Sequence, residues 1–474
     1  MISGKWIRLK IFCKGEIMGL KDKWKDLNKQ RSLLEIMNII SNKLIERIST
    51  ILLVIFVSFP ITTAFFNRVK YNLMYSQIHW YNANLVIGFF GLILLVLLLV
   101  KRKNMNTKIT IKQIIKENQI NYLLILFLII VCISSLFADN YYYAIMGNPD
   151  SHGGLVSYFM YLGLFILVSR LIDDKFRYII LEVFVFCGFL ITLICFINIP
   201  SIMAFLDFVK DSGNFGNSNH YGYYLVMVIM INETLLICKT NKLFKLFHLF
   251  ELIFLINGLI NAKSMGPLLA VIIGTIGLII FSLIKDYKKY KIILPLTSVI
   301  IISGVISSIG TWNIMDDVFT MNNDITILKD NIILGNKSEE IDSIGSSRGK
   351  LWFFGIEKII ERPLLGYGPN NFEIEYQKAG LTNSKPHNEF IEIAGMFGLL
   401  GLLLYLIVLV ILLVRFIKNF SKIDFLGLGL YCTIGAYLVS SFFGNILFTT
   451  TPLYVFIFAM CINKNNFSSY NTNK

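Results

Sequence analysis

Twelve apolar runs dictate what this chain can be. They lie at 48–66, 83–100, 121–138, 154–171, 178–199, 220–238, 243–261, 265–284, 292–310, 390–414, 424–443 and 446–462. Each is about as long as a helix needs to cross a hydrocarbon core roughly 30 Å thick. Inside lipid a single segment satisfies its own backbone N–H and C=O groups only as a helix, so the runs predict an all-α polytopic membrane protein with about 12 transmembrane helices. With 55% hydrophobic and 16% charged residues, the chain has far more apolar surface than a soluble core uses. The last two runs are close enough to form one broken helix.

Charge gives the orientation. Of 44 Lys and Arg, 32 fall on the side that holds residues 1–47 and 463–474, 4 in the short loops of the other side, and 8 in the long loop 311–389. Long loops cross regardless of charge, so the short loops decide: both termini are expected in the cytoplasm and the long loop outside it. The net charge of +14 is therefore a topology signal and an attraction to membrane lipids. No aromatic-basic repeat points to nucleic acid as a partner. The basic segment 1–47 lacks the apolar core of a cleaved signal peptide, and Met18, behind Lys14-Gly15-Glu16-Ile17, is an alternative start. The seven cysteines show no C-x-x-C spacing and mostly sit in apolar runs, where they read as small buried hydrophobes. The expected organisation is a basic N-terminal segment (1–47), nine spans (48–310), the extracytoplasmic loop (311–389), three spans (390–462) and a tail (463–474).

Three outer segments carry more than a connection needs. Residues 137–154, with Tyr141, Tyr142 and Tyr143, read equally as an interfacial aromatic belt or as a platform for stacking sugars. Residues 211–222 bring Asn217, Ser218, Asn219 and His220 to a helix start; either Ser218 or Asn219 merely caps it, or the exposed N–H groups take an anion such as phosphate. The third is the loop's end. Ser346 or Ser347 is expected to cap an amphipathic helix over 349–361, with Trp352, Gly355, Ile356, Ile359 and Ile360 on one face, lying flat at the interface. Pro363 stops it and Gly366-Tyr367-Gly368-Pro369 turns the chain. Arg348 sits at the helix mouth and is either a snorkelling side chain or a phosphate ligand. His387-Asn388-Glu389 stands at the next span's entrance, where an imidazole can accept a hydroxyl proton. Position alone makes His79 and His248 ordinary interfacial or core histidines.

The run S-R-x-x-x-W, P-L-L-G-x-G-x-x-x-F, H-N-E-F and G-x-x-G, carried by Arg348, Trp352, Pro363, Gly366, Gly368, Phe372, His387, Asn388, Gly398 and Gly401, resembles the O-antigen ligase and polymerase family of bacterial membrane glycosyltransferases. Phe215 to Tyr221 is similar to the family's G-N-P-N segment, with Ser218 for proline. Two arginines expected of the family are absent, near His152 and in Ser264-Met265-Gly266. The resemblance implies a GT-C-like fold in the bacterial cytoplasmic membrane and an extracytoplasmic active site. It implies transfer or polymerisation of a polyprenyl-pyrophosphate-linked glycan onto a glycan, lipid or protein acceptor. Arg348 is then the pyrophosphate clamp and His387 the general base, with Asn219, His220, Asn388, Gly366, Gly368 and Trp352 as substrate contacts. A pyrophosphate leaves well once its charge is stabilised, and no D-x-D occurs in the chain, so neither metal nor cofactor is expected. A transporter of lipid-linked saccharides is the rival reading, with Glu182, Glu233 and Glu251 as candidate midplane charges.

Overall fold

The computed structural model describes residues 40–65, 73–104, 119–149, 151–308, 344–381 and 385–468, together with Trp312. Residues 1–39 with Met18, the connector 313–343 and the tail's end at 469–474 lie outside the described residues. Among those described there is no strand, only an isolated bridge between Val209 and Gly213. The helices are α1 (Asn42–Phe65), α2 (Leu73–Asn104), α3 (Gln119–Leu136), α4 (Tyr141–Met146), α5 (Leu155–Val168), α6 (Asp174–Ile197), α7 (Pro200–Leu206), α8 (Ser218–Cys238) and α9 (Lys242–Asn261). They continue as α10 (Met265–Lys285), α11 (Tyr290–Ser308), α12 (Ile344–Glu361), α13 (Phe372–Lys378), α14 (Glu389–Asn419), α15 (Phe425–Ser441) and α16 (Thr451–Ser468).

Every predicted apolar run falls on one of these helices. Among the described residues nine are long and apolar enough to cross a membrane, while α5, α15 and the apolar part of α16 are shorter. The central element is α8, buried continuously from Tyr221 to Ile237 and packed against α6, α9, α10 and α15. A helix apolar on every face is stable only where neighbours surround it, and α8 is so placed. By contrast α2, α3 and α11 keep most of their surface exposed, as lipid-facing helices do.

Two breaks shape one end of the bundle. The first is inside α14, where Gly398 takes φ 68° and ψ −177°. A break leaves backbone groups without helical partners, which is tolerated at membrane depth only when protein supplies them. Here the turn after α12 does so: Tyr367 and Gly368 N–H donate to the Gly395 and Met396 carbonyls, both at 2.9 Å, and Leu399 N–H donates to the Pro363 carbonyl at 2.7 Å. A Cβ on Gly398 would run into the Leu364 backbone, and one on Gly366, itself at φ 67°, into the Gly395 carbonyl. The second break is the stretch 442–450 between α15 and α16. The last span begins at Thr451 instead of the expected 446, because the Glu392 carboxylate and the Thr451 hydroxyl take the Ile446 and Leu447 N–H groups (2.7 and 2.9 Å) that a helix would use.

The amphipathic helix differs from expectation at its start and in its register. It begins at Ile344, so Ser346 and Ser347 lie within it and do not cap it. Leu351, Gly355 and Ile359 form its buried stripe, whereas Ile356 (46% exposed) and Ile360 (72%) face outward. The inward face packs on α14, whose side chains select the 351–355–359 spacing.

Candidate active site

The second break is the floor on which the sequence's scattered candidates meet. His387 stands just before α14 with φ 52°, an unusual value for a side-chain-bearing residue. It is held from both sides. Asn388 caps α14, its side-chain oxygen accepting from Phe390 and Ile391 N–H at 3.0 and 3.1 Å. From the break, Asn445 Oδ1 accepts the His387 backbone N–H at 2.8 Å, and Asn445 Nδ2 lies 3.2 Å from His387 Nδ1. Asn445 is buried. His387 Nε2 makes no hydrogen bond among the described residues.

Cations surround this imidazole. Arg348 of α12 lies with its guanidinium 6.0 Å from the centre of the Phe443 ring, and no carboxylate pairs with it among the described residues. The neighbouring cations are committed. Lys385 bridges Glu373 and Glu392 at 2.9 Å each and donates to the Ile446 carbonyl at 3.0 Å. Arg362 donates to both oxygens of Asp139 at 3.0 Å and stacks over Tyr367. Burial, then the Arg348 and Lys385 charges, push the His387 imidazole down to about 4. It is neutral across the physiological range.

Two further elements reach the same place. His220 of α8 lies within electrostatic reach of Lys385 and His387. Asn219 accepts a hydrogen bond from Ser264 at 2.6 Å, which ties α8 to the start of α10. The helix cap is neither Ser218 nor Asn219 but Asn217, whose side chain takes the Asn219 and His220 N–H groups. Tyr223, one turn on, donates to the Phe443 carbonyl at 2.9 Å. Trp352 packs edge-on against Phe442 with ring centres 5.5 Å apart, and its indole N–H is enclosed without a partner. Gly366 and Gly368 are instead engaged in the α14 break, and their positive φ values serve that turn.

The early segment 137–154 docks on the loop's end through amides and carboxylates. Asn370 accepts Asn148 and Gly153 N–H, Asn371 accepts Asn140 N–H, and Glu373 accepts the Ser151 hydroxyl. Tyr141 and Tyr142 remain exposed. His152, standing where the family's arginine is expected, stacks on Tyr81 with ring centres 4.2 Å apart. Behind the histidine, α3, α5, α14 and α16 enclose an apolar cavity of about 290 Å³. Glu389 and Ile446, adjoining the His387 and Asn445 positions, line its end, and Phe127, Leu128, Tyr158 and Phe165 line its length.

A helical bundle with several long apolar helices fits a multi-pass membrane protein. Residues 250–406 match the model of the O-antigen ligase family, in agreement with the resemblance carried by the motifs. No curated protein matches the chain. The matched stretch contains Arg348, Trp352 and His387 but neither α8 nor Asn445. The Phe442–Ile446 break is the part of the site that sequence reasoning missed. Its one available signal was Gly444-Asn445 interrupting an apolar run.

Proposed function

We propose that this protein transfers or polymerises a glycan carried on polyprenyl pyrophosphate, at the extracytoplasmic face of a bacterial cytoplasmic membrane. The observation that carries the reading is the juxtaposition of half-buried Arg348, which has no carboxylate partner among the described residues, with the half-buried, neutral His387. An arginine left unpaired beside a second cation disfavours an empty site and favours a dianionic group supplied by a ligand. The Lys and Arg asymmetry of the loops supports the assignment of this end to the outside, where nucleotide-sugars are absent and a lipid carrier presents the donor.

In this reading Arg348 binds the pyrophosphate and stabilises the charge that grows on it as the glycosidic bond breaks. The acceptor hydroxyl oxygen bonds to the anomeric carbon. The bond from that carbon to the pyrophosphate oxygen breaks, and its electron pair leaves with polyprenyl pyrophosphate. The apolar cavity beside Glu389 takes the first isoprene units. His220 and Asn219 support the site from α8. Holding donor and acceptor together supplies a large part of the rate without a metal.

The test is transfer by the purified protein from a synthetic polyprenyl-pyrophosphate oligosaccharide to a glycan acceptor. Product formation that disappears in Arg348→Ala and His387→Ala at unchanged folded yield supports the reading. Undiminished polymer in cells carrying either variant overturns it.

A further inference from the structure

We propose that Asn445 is a positioning residue that fixes His387 as the Nε2–H tautomer, so that the imidazole donates a hydrogen bond to a phosphate oxygen of the substrate and does not act as a base. The proposal rests on the glycosyl-transfer reading above and assigns the chemistry of its histidine.

The argument is one of donors and acceptors. A carboxamide has an acceptor end and a donor end, and their assignment here is forced: the His387 backbone N–H can only donate, so the Asn445 atom 2.8 Å from it is the oxygen. The amide nitrogen is therefore the atom 3.2 Å from His387 Nδ1. An amide N–H₂ has no lone pair to offer, so Nδ1 must be the acceptor. A neutral imidazole carries one proton, which leaves it on Nε2. The lone pair that a base needs is the one Asn445 occupies.

Nothing nearby pulls the proton the other way. The groups facing this imidazole are the cations Arg348 from α12 and Lys385 from the preceding loop and, from α8, the His220 imidazole. The carboxylates of its own segment are engaged: Glu392 with Lys385 and the Ile446 N–H, and Glu389 with the Tyr405 hydroxyl. A lone pair at Nε2 would repel a phosphate oxygen that Arg348 attracts, whereas an N–H there complements it. The acceptor's proton then has another destination. The product is a pyrophosphate monoester whose last ionisation lies near neutrality, about 6 for a phosphate monoester. As the bond from the anomeric carbon breaks, the leaving oxygen gains the electron pair, and the hydroxyl proton passes to the departing pyrophosphate.

Asn445→Asp inverts the arrangement. The introduced carboxylate still accepts the His387 backbone N–H, but its second oxygen favours a proton on Nδ1 and raises the imidazole's pKa. A donor at Nε2 then exists only while the ring is doubly protonated. Transfer by Asn445→Asp, taken relative to wild type, is expected to fall about tenfold from pH 5.5 to 8.5. A base would give the opposite slope, with relative activity rising over the same range, and that result overturns the proposal. The second measurement needs neither substrate nor the Asn445→Asp variant. In ¹³C,¹⁵N-histidine-labelled wild type in nanodiscs, with His387 identified by its loss in His387→Gln, the ring at pH 7 is expected to carry its proton on Nε2. A proton on Nδ1 overturns the proposal even if Asn445→Asp does not fold. Should the wild type transfer no glycan, the glycosyl-transfer reading fails while the labelled histidine still reports the tautomer.

Discussion

Two histidines in this molecule, one buried and one half-buried, are built in opposite ways. His248 on α9 is fully enclosed, with Nδ1 2.8 Å from Glu251 and Nε2 3.5 Å from Glu182. Asn232 donates to the same Glu251 oxygen and Lys239 pairs with Glu182. Each ring nitrogen faces a carboxylate and the carboxylates have further partners, so the cluster neutralises itself. His387 has one nitrogen on an amide, one without a partner, and cations for neighbours. The first arrangement is complete and holds helices together. On the proposed reading the second is completed by an anion from outside, which would separate a structural histidine from one that works on a ligand.

The largest effects that would sharpen the contrast fall on transfer. Arg348→Ala and His387→Ala are each expected to lower it by about 100-fold or more, as the loss of a charge-stabilising donor does. Thermal unfolding of the purified variants should stay close to wild type. In the closed cluster the pattern reverses: His248→Ala leaves Glu251 buried with only the Asn232 amide beside it, a loss of about 3–5 kcal/mol. A marked fall in unfolding temperature, with transfer per folded molecule preserved, is the expected outcome. If His248→Ala abolished transfer without destabilising the fold, the distinction between the two histidines would be wrong.

A smaller loss, about tenfold, is expected for Arg348→Lys, which keeps the charge but not the planar fork of donors. Saturation kinetics would show it. The smallest effect is on pH. The His387 imidazole lies at about 4, below its unfolded value of about 6.5. Between those values the unfolded chain binds a proton that the folded chain does not, so stability contributed by this group is present above about 6.5 and is lost as pH falls towards 4. Unfolding temperatures of His387→Gln should therefore depend less steeply on pH than those of wild type over that interval.

How much of this was legible in the sequence follows from the physics of each feature. The twelve runs were legible because burial in lipid demands long apolar segments whatever their neighbours. Arg348, Trp352 and His387 stood out because polar residues are scarce in such a chain. Glu182 showed no partner in sequence, since His248 is brought to it only by the packing of α6 against α9, whereas Glu251 lies three residues beyond His248 on α9 itself. Gly366 and Gly368 looked like a ligand turn, but only the α14 break explains their backbone. Asn445 was legible only as part of an interruption in an apolar run, not as a partner of His387. It lies 58 residues beyond His387 and its value depends on which end of one amide faces the ring.

The central claim is that Arg348 and His387 hold a lipid-borne pyrophosphate. Its most direct test is binding of undecaprenyl pyrophosphate to the purified full chain in nanodiscs, compared among wild type, Arg348→Ala and Arg362→Ala. The account predicts saturable binding weakened at least about tenfold by Arg348→Ala and little changed by Arg362→Ala, whose guanidinium is already committed to Asp139. Equal binding by wild type and Arg348→Ala would contradict it.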